Sequence, residues 1–436
     1  MNTAHRKAFV LTMVVVIIVG VDLFTWNQSI VSQQAAIINA SLLRPTVLAG
    51  LLTDNLSSAD RTFIGALPVS RTVKKFRGVK LSSQYIAALK DAKTSVTLFP
   101  ETTLSLVKDA INQKDSTHFT WSGHIEGRAQ DKVYMAVRGT AVAANFYTQE
   151  GVYQLRYKGN GIHTVSLIDA KKLSPDGHAH IEWSGPTSSN PSRIDDAPTS
   201  ATRGELITLY APYTAAARDA AGGVAGIESV IDLLVAETNE AFGNSGVNAT
   251  LALVKTGVIT YTEAGNAKTD WKKLTDSTDT TFRSVRQIRD KSKADLVSLI
   301  VANGGVWCGY ASIPMRTYFG RLGDFEKYAE AVVDYNCTGS YTLAHELGHL
   351  MGANHDPANS DYDGTKVLLP YAFGYQDPNE AFRTIMAYSC PTKTCPVIPY
   401  YSNPTLTFNG APMGVRDKND NVQTLNATTY TVSRFR

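Results

Sequence analysis

Cysteine is absent from the first 307 residues of this 436-residue chain, and its four cysteines all lie at position 308 or later. A large excess of charge of one sign is also absent, because 42 Lys and Arg residues are matched by 39 Asp and Glu residues. This balance excludes a protein that binds nucleic acid through a broad basic surface. The mean hydropathy of -0.13 excludes a multi-span membrane protein. An ordinary globular protein of two or three domains remains.

Long apolar runs are missing except near the N-terminus, where Phe9–Val21 is interrupted only by Thr12 and Gly20. Arg6 and Lys7 precede this run, and a spanning helix usually needs about 20 apolar residues, so the pattern is typical of a signal peptide. An uncleaved membrane anchor and a buried core helix are the alternatives. No clear A-x-A site is present, so cleavage and anchoring both stay open. We predict that residues 1–40 direct secretion, or anchor the chain outside the cytoplasm.

Export would place the four cysteines in an oxidising environment, where an even number predicts two disulfide bonds. The short interval between Cys390 and Cys395 favours a bond between them and leaves Cys308 with Cys337. Four cysteines allow three pairings, and spacing alone does not choose among them. A cysteine-ligated zinc site is disfavoured because no C-x-x-C pair exists.

The first half of the chain has the pattern of a mostly β domain, predicted for residues 41–184. Runs such as Val152–Tyr157 alternate in polarity and are separated by glycine and polar turns. His178 and His180 either contact a metal or lie in a solvated loop, and the preceding Pro175 favours the loop. Residues 185–204 are rich in Pro, Ser and Thr and are predicted to be a linker open to proteolysis.

Residues 205–436 alternate between strand and helix patterns, which predicts an α/β sheet domain. Strands are predicted at 205–210, 248–258, 294–302, 306–313 and 331–335, and helices at 224–242, 280–290 and 420–435. A further helix is predicted to begin after Thr338 and Ser340, which can supply its N-cap.

That further helix carries the strongest chemical signal. Residues four apart share a helix face, so His345 and His349 direct their imidazoles to one point. Gly352 tolerates the φ > 0 that ends a helix, which lets His355 approach the same point. Three neutral imidazoles predict one catalytic Zn²⁺ with a position open for water, and Glu346 lies beside it as a general base. The five-residue core of this motif also occurs by chance, but the glycine and third histidine argue against chance here.

These residues match the signature H-E-x-x-H-x-x-G-x-x-H, and the chain from Glu205 to Arg436 resembles the metzincin zinc peptidases. Asp356, directly after the third histidine, resembles the reprolysin (adamalysin) branch, which includes bacterial peptidyl-Asp metalloendopeptidases. The resemblance implies an α/β (α+β) catalytic domain with a mixed twisted sheet and an active-site helix, preceded by a mostly β prodomain.

The resemblance also implies residues that support the site. Met386, 31 residues after His355, fits the Met-turn beneath the metal, and Gly352 provides the turn after the helix. Asp356 is interpreted as a buried carboxylate near the Met-turn rather than a catalytic acid. Tyr388 resembles the tyrosine that serves astacins and serralysins as an extra zinc ligand, although a buried structural tyrosine is favoured.

Substrate contacts are less closely defined by the sequence. Gly304–Tyr310 is either an edge strand that pairs with an extended peptide or an ordinary strand with a turn. Residues 399–404 lie where the family builds the wall of the pocket for the side chain after the scissile bond. Lys393 and Arg416 would favour an acidic side chain if they faced that pocket, whereas such residues on loops are usually solvated.

We predict a secreted zinc-dependent endopeptidase that hydrolyses internal peptide bonds through a zinc-bound water activated by Glu346. The enzyme is predicted to be made as a precursor, and its partners are protein or peptide substrates and its own inhibitory propeptide. A propeptide without cysteine cannot block zinc with a thiolate, so inhibition would be steric or use a carboxylate or histidine. Nucleic acid is not a predicted partner, and a membrane is involved only through the N-terminal segment. The alternatives are an inactive zinc-containing binding module and a zinc hydrolase of a non-peptide amide.

Overall fold

The computed structural model describes residues 50–173, 177–180, 204–316, 321–361 and 364–436. The apolar segment Phe9–Val21 and nearly all of the predicted linker (residues 185–203) lie outside the described residues. No described helix is long and apolar enough to cross a membrane.

The first part of the described chain forms an antiparallel sheet of nine strands, which we call the N-terminal sheet. Its order is β1-β2-β9-β8-β7-β6-β5-β4-β3. Its strands are β1 (Leu52–Thr53), β2 (Val73–Leu81), β3 (Lys93–Phe99), β4 (Thr102–Asp115), β5 (His118–Ile125), β6 (Arg128–Arg138), β7 (Ala141–Thr148), β8 (Gly151–Gly159) and β9 (Ile162–Ile168). Two short helices, α1 (Ser58–Gly65) and α2 (Tyr85–Lys90), accompany it.

The second part forms a mixed sheet of six strands in the order β10-β14-β15-β13-β11-β12. Its strands are β10 (Gly177–His180), β11 (Glu205–Thr214), β12 (Ala249–Ile259), β13 (Leu296–Val301), β14 (Gly309–Ile313) and β15 (Glu330–Asp334). Strand β14 runs antiparallel to β15, whereas β10 lies parallel to β14 on its other side. A small hairpin of β16 (Asn403–Phe408) and β17 (Ala411–Met413) follows.

Six α-helices belong to the described residues of this second part. They are α3 (Ala215–Ala220), α4 (Val224–Ser245), α5 (Ala267–Thr275), α6 (Arg283–Ser292), α7 (Thr342–Leu350) and α8 (Asn421–Val432). Every residue of α7 is buried, because the helix packs against β14 and β15 on one side and α4 on another. Helix α7 is therefore the central element around which the site is built.

The N-terminal sheet and the C-terminal region share a hydrophobic core. Along β6 and β7, Tyr134, Ala136, Ala143 and Tyr147 belong to the core that includes α4, whereas the alternate residues face the sheet's own core. Successive side chains of a strand point to opposite faces, so β6 and β7 are buried on both. This double burial explains why β7 is almost wholly apolar instead of alternating.

The mixed α/β class is confirmed, and most predicted elements of residues 205–436 are present with ends shifted by a few residues. Helices α3 and α5 and the β16–β17 hairpin were missed. The predicted N-cap from Thr338–Ser340 is wrong, because Tyr341 occupies that position with φ 59° and no side-chain cap. The predicted loop at His178–His180 is also wrong, because its backbone forms β10. Its partner lies more than 130 residues away, so the local sequence gives no sign of this strand.

Candidate metal centre

Helix α7 carries two candidate ligands on one face. His345 and His349 lie one turn apart, and 2% and 0% of their surfaces are exposed. The peptide N–H of His345 donates to the carbonyl oxygen of Tyr341 at 2.9 Å, so the first turn of the helix already fixes one ligand. The helical period then directs both imidazoles to the same side.

Gly352 ends the helical path and brings the third histidine to the site. Its φ of 92° lies in the region that favours glycine, and a Cβ there would lie 2.7 Å from Cδ2 of Leu368. Its N–H donates to the carbonyl of His349 at 2.9 Å. The chain turns back at this point, and His355, which is 1% exposed, faces the other two histidines.

The three Nε2 atoms converge on one point. They are 3.0 Å apart for His345 and His349, 3.0 Å for His349 and His355, and 3.1 Å for His345 and His355. A tetrahedral zinc ion with Zn–N bonds of about 2.0–2.1 Å places its nitrogen ligands about 3.3 Å apart. The triad therefore needs only a slight expansion to hold such an ion.

The second nitrogen of each ring fixes the tautomer. The Nδ1 atoms of His345, His349 and His355 lie 2.9, 2.9 and 3.3 Å from the carbonyl oxygens of Ile385, Ala353 and Asn359 respectively. A carbonyl oxygen only accepts, so each Nδ1 carries the proton and each Nε2 presents a lone pair. Three lone pairs facing one another in a buried site repel unless a cation lies between them. The donor set thus fits Zn²⁺, which binds neutral imidazole.

Met386 lies directly beneath α7. It is fully buried, and a Cβ built on Gly348 would lie 2.6 Å from its sulfur, so a glycine is needed for this close approach. The preceding residue, Ile385, supplies the carbonyl that orients His345. The segment around Met386 therefore supports both the helix and one of the candidate ligands.

Glu346 lies next to the triad on the side of β14. Its side chain is fully buried, and a Cβ built on Gly309 would lie 2.2 Å from its Oε1 atom. The neighbouring Tyr310 has its pKa raised to about 12 by burial and by the negative charges of Asp361 and Glu346. The phenol therefore stays protonated beside the carboxylate at neutral pH.

Asp356 links the third histidine to the turn at Met386. Its Oδ2 accepts the peptide N–H of Tyr388 at 3.0 Å, and Asn359 donates to both carboxylate oxygens at 2.9 and 3.1 Å. The ring of Tyr388 lies 4.3 Å from that of His355, centroid to centroid. Tyr388 is half-buried rather than buried, so it borders the site instead of filling the core behind it.

Two disulfide bonds flank the site. Cys308–Cys337 joins the residue before β14 to the segment that leads into α7, and Cys390–Cys395 closes the loop after Tyr388. This is the pairing that the short Cys390–Cys395 interval favours. Both bonds hold segments that border the histidine triad.

The expected substrate-pocket residues are placed differently by the structure. Tyr401, from the predicted wall at 399–404, is fully buried, and its hydroxyl donates to the carbonyl of Ala344 in α7 at 2.6 Å. A cavity of about 510 Å³ is lined by Asn359 and Tyr388, which contact His355. Lys393 and Arg416 are exposed, and neither lines this cavity. Arg383 also lines that cavity, and the sequence did not single it out because nothing in the local pattern indicates this position.

Replacing Gly309 with alanine is expected to lower kcat/KM for a peptide substrate by about 100-fold, because the added Cβ displaces Glu346, the predicted general base, and small misplacements of such a group are costly. Gly257→Ala is the matched control, since Gly257 is also in a strand but has open space around its Cβ position. Kinetics and melting temperature should be measured on both variants. Full activity of Gly309→Ala would mean that the position of Glu346 is unimportant.

Convergent neutral imidazoles beside a buried carboxylate are a donor set that could hold one metal ion, as in zinc hydrolases. Residues 204–402 match the model of metallo-peptidase family M12. The peptidyl-Asp metalloendopeptidase of Stenotrophomonas maltophilia (strain R551-3) is 33% identical over 313 residues, covering 70% of this chain and 71% of that protein. The peptidyl-Asp metalloendopeptidase of Xanthomonas campestris pv. campestris is 33% identical over 290 residues, or 65% of each chain. The chain therefore belongs to the M12 metallopeptidases and is a zinc metalloendopeptidase.

Among solved structures, metalloproteinase-II from Bacteroides fragilis aligns with a TM-score of 0.40 at 11% identity, covering 77% of this chain and 91% of that chain.

Proposed function

We propose that the chain is a secreted zinc-dependent endopeptidase, made as a precursor, in which His345, His349 and His355 hold one zinc ion. The observation that carries the proposal is the convergence of three Nε2 lone pairs beside the buried carboxylate of Glu346. A bound zinc ion would polarise the scissile carbonyl and lower the pKa of water in the site.

Glu346 performs the proton transfers in this proposal. Its carboxylate takes a proton from the attacking water and later delivers it to the leaving amine. Close contact with the backbone at Gly309 limits the positions that the carboxylate can adopt. The substrate lies extended along β14, where main-chain hydrogen bonds align the scissile bond with Glu346.

The preference that we propose is for an acidic residue next to the scissile bond. Support comes from the relatives, which are named peptidyl-Asp metalloendopeptidases at 33% identity. The proposal of secretion is supported by the two disulfide bonds, which persist in oxidising environments.

The proposed propeptide includes the N-terminal sheet and β10. Strand β10 is hydrogen-bonded to β14 along Tyr310–Ile313, so the edge that an extended substrate needs is already covered. This arrangement supports steric inhibition, because a substrate cannot pair with β14 until β10 leaves.

A buried polar network also joins the two parts of the chain. Asn145 and Tyr147 of the N-terminal sheet donate to Oε1 of Glu237 in α4 at 2.7 and 3.0 Å. Arg156 donates to Asn145 at 2.6 Å and to the hydroxyl of Thr338, just before α7, at 3.1 Å. Burial raises the pKa of Glu237 to about 7. These buried groups form hydrogen bonds with one another instead of with water, so the interface is specific. It includes the segment that leads into α7.

A chelator is expected to abolish cleavage of an unfolded protein substrate, and added Zn²⁺ should restore it. The reason is that the carbonyl is not polarised without the metal. Cleavage is followed by mass spectrometry of the products, with a non-peptide amide assayed in parallel. Binding without cleavage would favour an inactive module, and turnover of the amide alone would favour a different hydrolase. Cleavage that survives complete metal removal would contradict the proposal.

A further inference from the structure

We propose that Arg383 binds the acidic side chain of the substrate and thereby sets the specificity of the enzyme. This inference rests on the proposed peptidase activity and on the proposed preference for an acidic residue. It concerns a residue that the sequence motifs do not single out.

A cavity of about 510 Å³ lies beside the histidine triad. Asn359 and Tyr388 both line it. The carbonyl of Asn359 accepts from Nδ1 of His355, and the ring of Tyr388 lies 4.3 Å from the His355 ring. Two residues that line the cavity therefore contact His355, one of the three candidate metal ligands.

Arg383 is the positive charge of this cavity. Among the described residues that line it, the charged ones are Arg383 and Glu150. Glu150 belongs to the N-terminal sheet and pairs with Arg128 at 2.9 Å. If the N-terminal sheet is removed with the propeptide, Glu150 leaves with it. Arg383 is then the charged residue among the described lining residues that remain.

The backbone holds Arg383 firmly in place. Its N–H donates to the carbonyl of Pro396, and its own carbonyl accepts from the N–H of Ile398, both at 2.9 Å. One guanidinium nitrogen, Nη1, donates to the carbonyl of Ala387, directly after Met386. The side chain is half-buried, so its charge is partly shielded from solvent without being cut off from the cavity. An anchored guanidinium binds a carboxylate with little loss of entropy.

The chemistry of the guanidinium selects an acid over its neutral isostere. Its planar array of N–H donors matches the two oxygens of a carboxylate, and charge-assisted pairs of this type are stronger than neutral ones. Asparagine has the shape of aspartate but offers one acceptor and no charge. The cavity should therefore discriminate between the two by charge and hydrogen bonding, whereas apolar volume alone could not.

The test compares three peptides that differ only in the residue after the scissile bond, which is Asp, Asn or Leu. The full chain and its variants are nicked identically in the linker, and kcat/KM is measured for each peptide. In R383Q, the Asp-to-Asn ratio of kcat/KM is expected to fall on the order of 100-fold, while cleavage of the Leu peptide stays within about threefold. R383K keeps the charge but loses the planar fork, so an intermediate ratio is expected.

The controls are K393Q and R416Q, which remove exposed positive charges outside the cavity and should leave the ratio unchanged. An unchanged ratio in R383Q, or a loss of preference in K393Q or R416Q, would overturn the assignment. If R383Q fails to cleave the Leu peptide, the Asp-to-Asn ratio of kcat/KM is taken from R383K instead. A wild-type ratio in R383K would also overturn the assignment of Arg383. A wild-type enzyme that cleaves all three peptides equally would refute the acid preference. No cleavage of any peptide after the nicked N-terminal fragment has been separated would refute the peptidase itself.

Discussion

Replacing Glu346 with glutamine is expected to lower kcat for peptide hydrolysis by about 10³-fold while the metal stays bound. Glutamine has nearly the same shape, so it fits against Gly309 and leaves the three histidines in place. It cannot accept a proton from water, and general base catalysis typically contributes about 10²–10⁴-fold. The measurement is single-turnover kinetics together with the zinc content of each protein.

Glu205→Gln serves as the control for this variant, because Glu205 begins β11 and pairs with Arg434 at 2.9 Å rather than with the triad. It should keep wild-type kinetics. Undiminished turnover by the Glu346 variant at full zinc content would show that another group takes the proton. Loss of zinc together with activity would instead assign Glu346 a role in holding the metal centre.

Removing the N-terminal sheet after cleavage within residues 185–203 is expected to raise kcat/KM by at least about 100-fold. A tethered inhibitor has an effective concentration in the millimolar range, so even micromolar intrinsic affinity leaves about one molecule in 10³ open. In the structure of the intact chain, β10 is paired with β14, and Arg156 joins the N-terminal sheet to Thr338 just before α7. The comparison is between intact chain, cut chain and cut chain after separation of the fragments.

Variants of the intact chain test the same interface. Arg156→Met should raise the activity of the uncut precursor, because it breaks the contacts to Asn145 and Thr338. Lys93→Met should not, because Lys93 forms an exposed pair with Glu126 on the N-terminal sheet. If the intact chain is as active as the separated C-terminal region, steric inhibition is wrong.

The local chemistry of the site could be predicted from the sequence because it depends on short-range geometry. The helical period places His345 with His349, and one glycine accounts for the return of His355. Other contacts of the site join residues that are far apart in the sequence or that come from different strands. Gly309 approaches Glu346 from another strand, and Arg383 reaches the cavity through pairing with the segment around Val397. No local sequence pattern predicts such contacts, so the three-dimensional structure is needed to identify them.

The fold class was predictable for a similar reason. Alternating strand and helix patterns are local, and they identified most of the C-terminal sheet. The short helix α5 and the strand β10 were missed, because packing and a distant partner stabilise them more than their own sequence does.

The N-cap residue of α7 has a consequence for the proposed maturation. Tyr341 adopts φ 59°, a left-handed conformation that costs a non-glycine residue about 1–2 kcal/mol. Its ring stacks on Tyr147 at 4.5 Å and meets the edge of Tyr134 at 6.4 Å, and both partners belong to the N-terminal sheet. Without that sheet, only contacts within the C-terminal region can offset the free-energy cost of the left-handed conformation of Tyr341. In the proposed maturation, removal of the sheet would open the site but also remove the contacts that stabilise the start of α7. The first turn of α7 would then fold most readily while the N-terminal sheet is still attached.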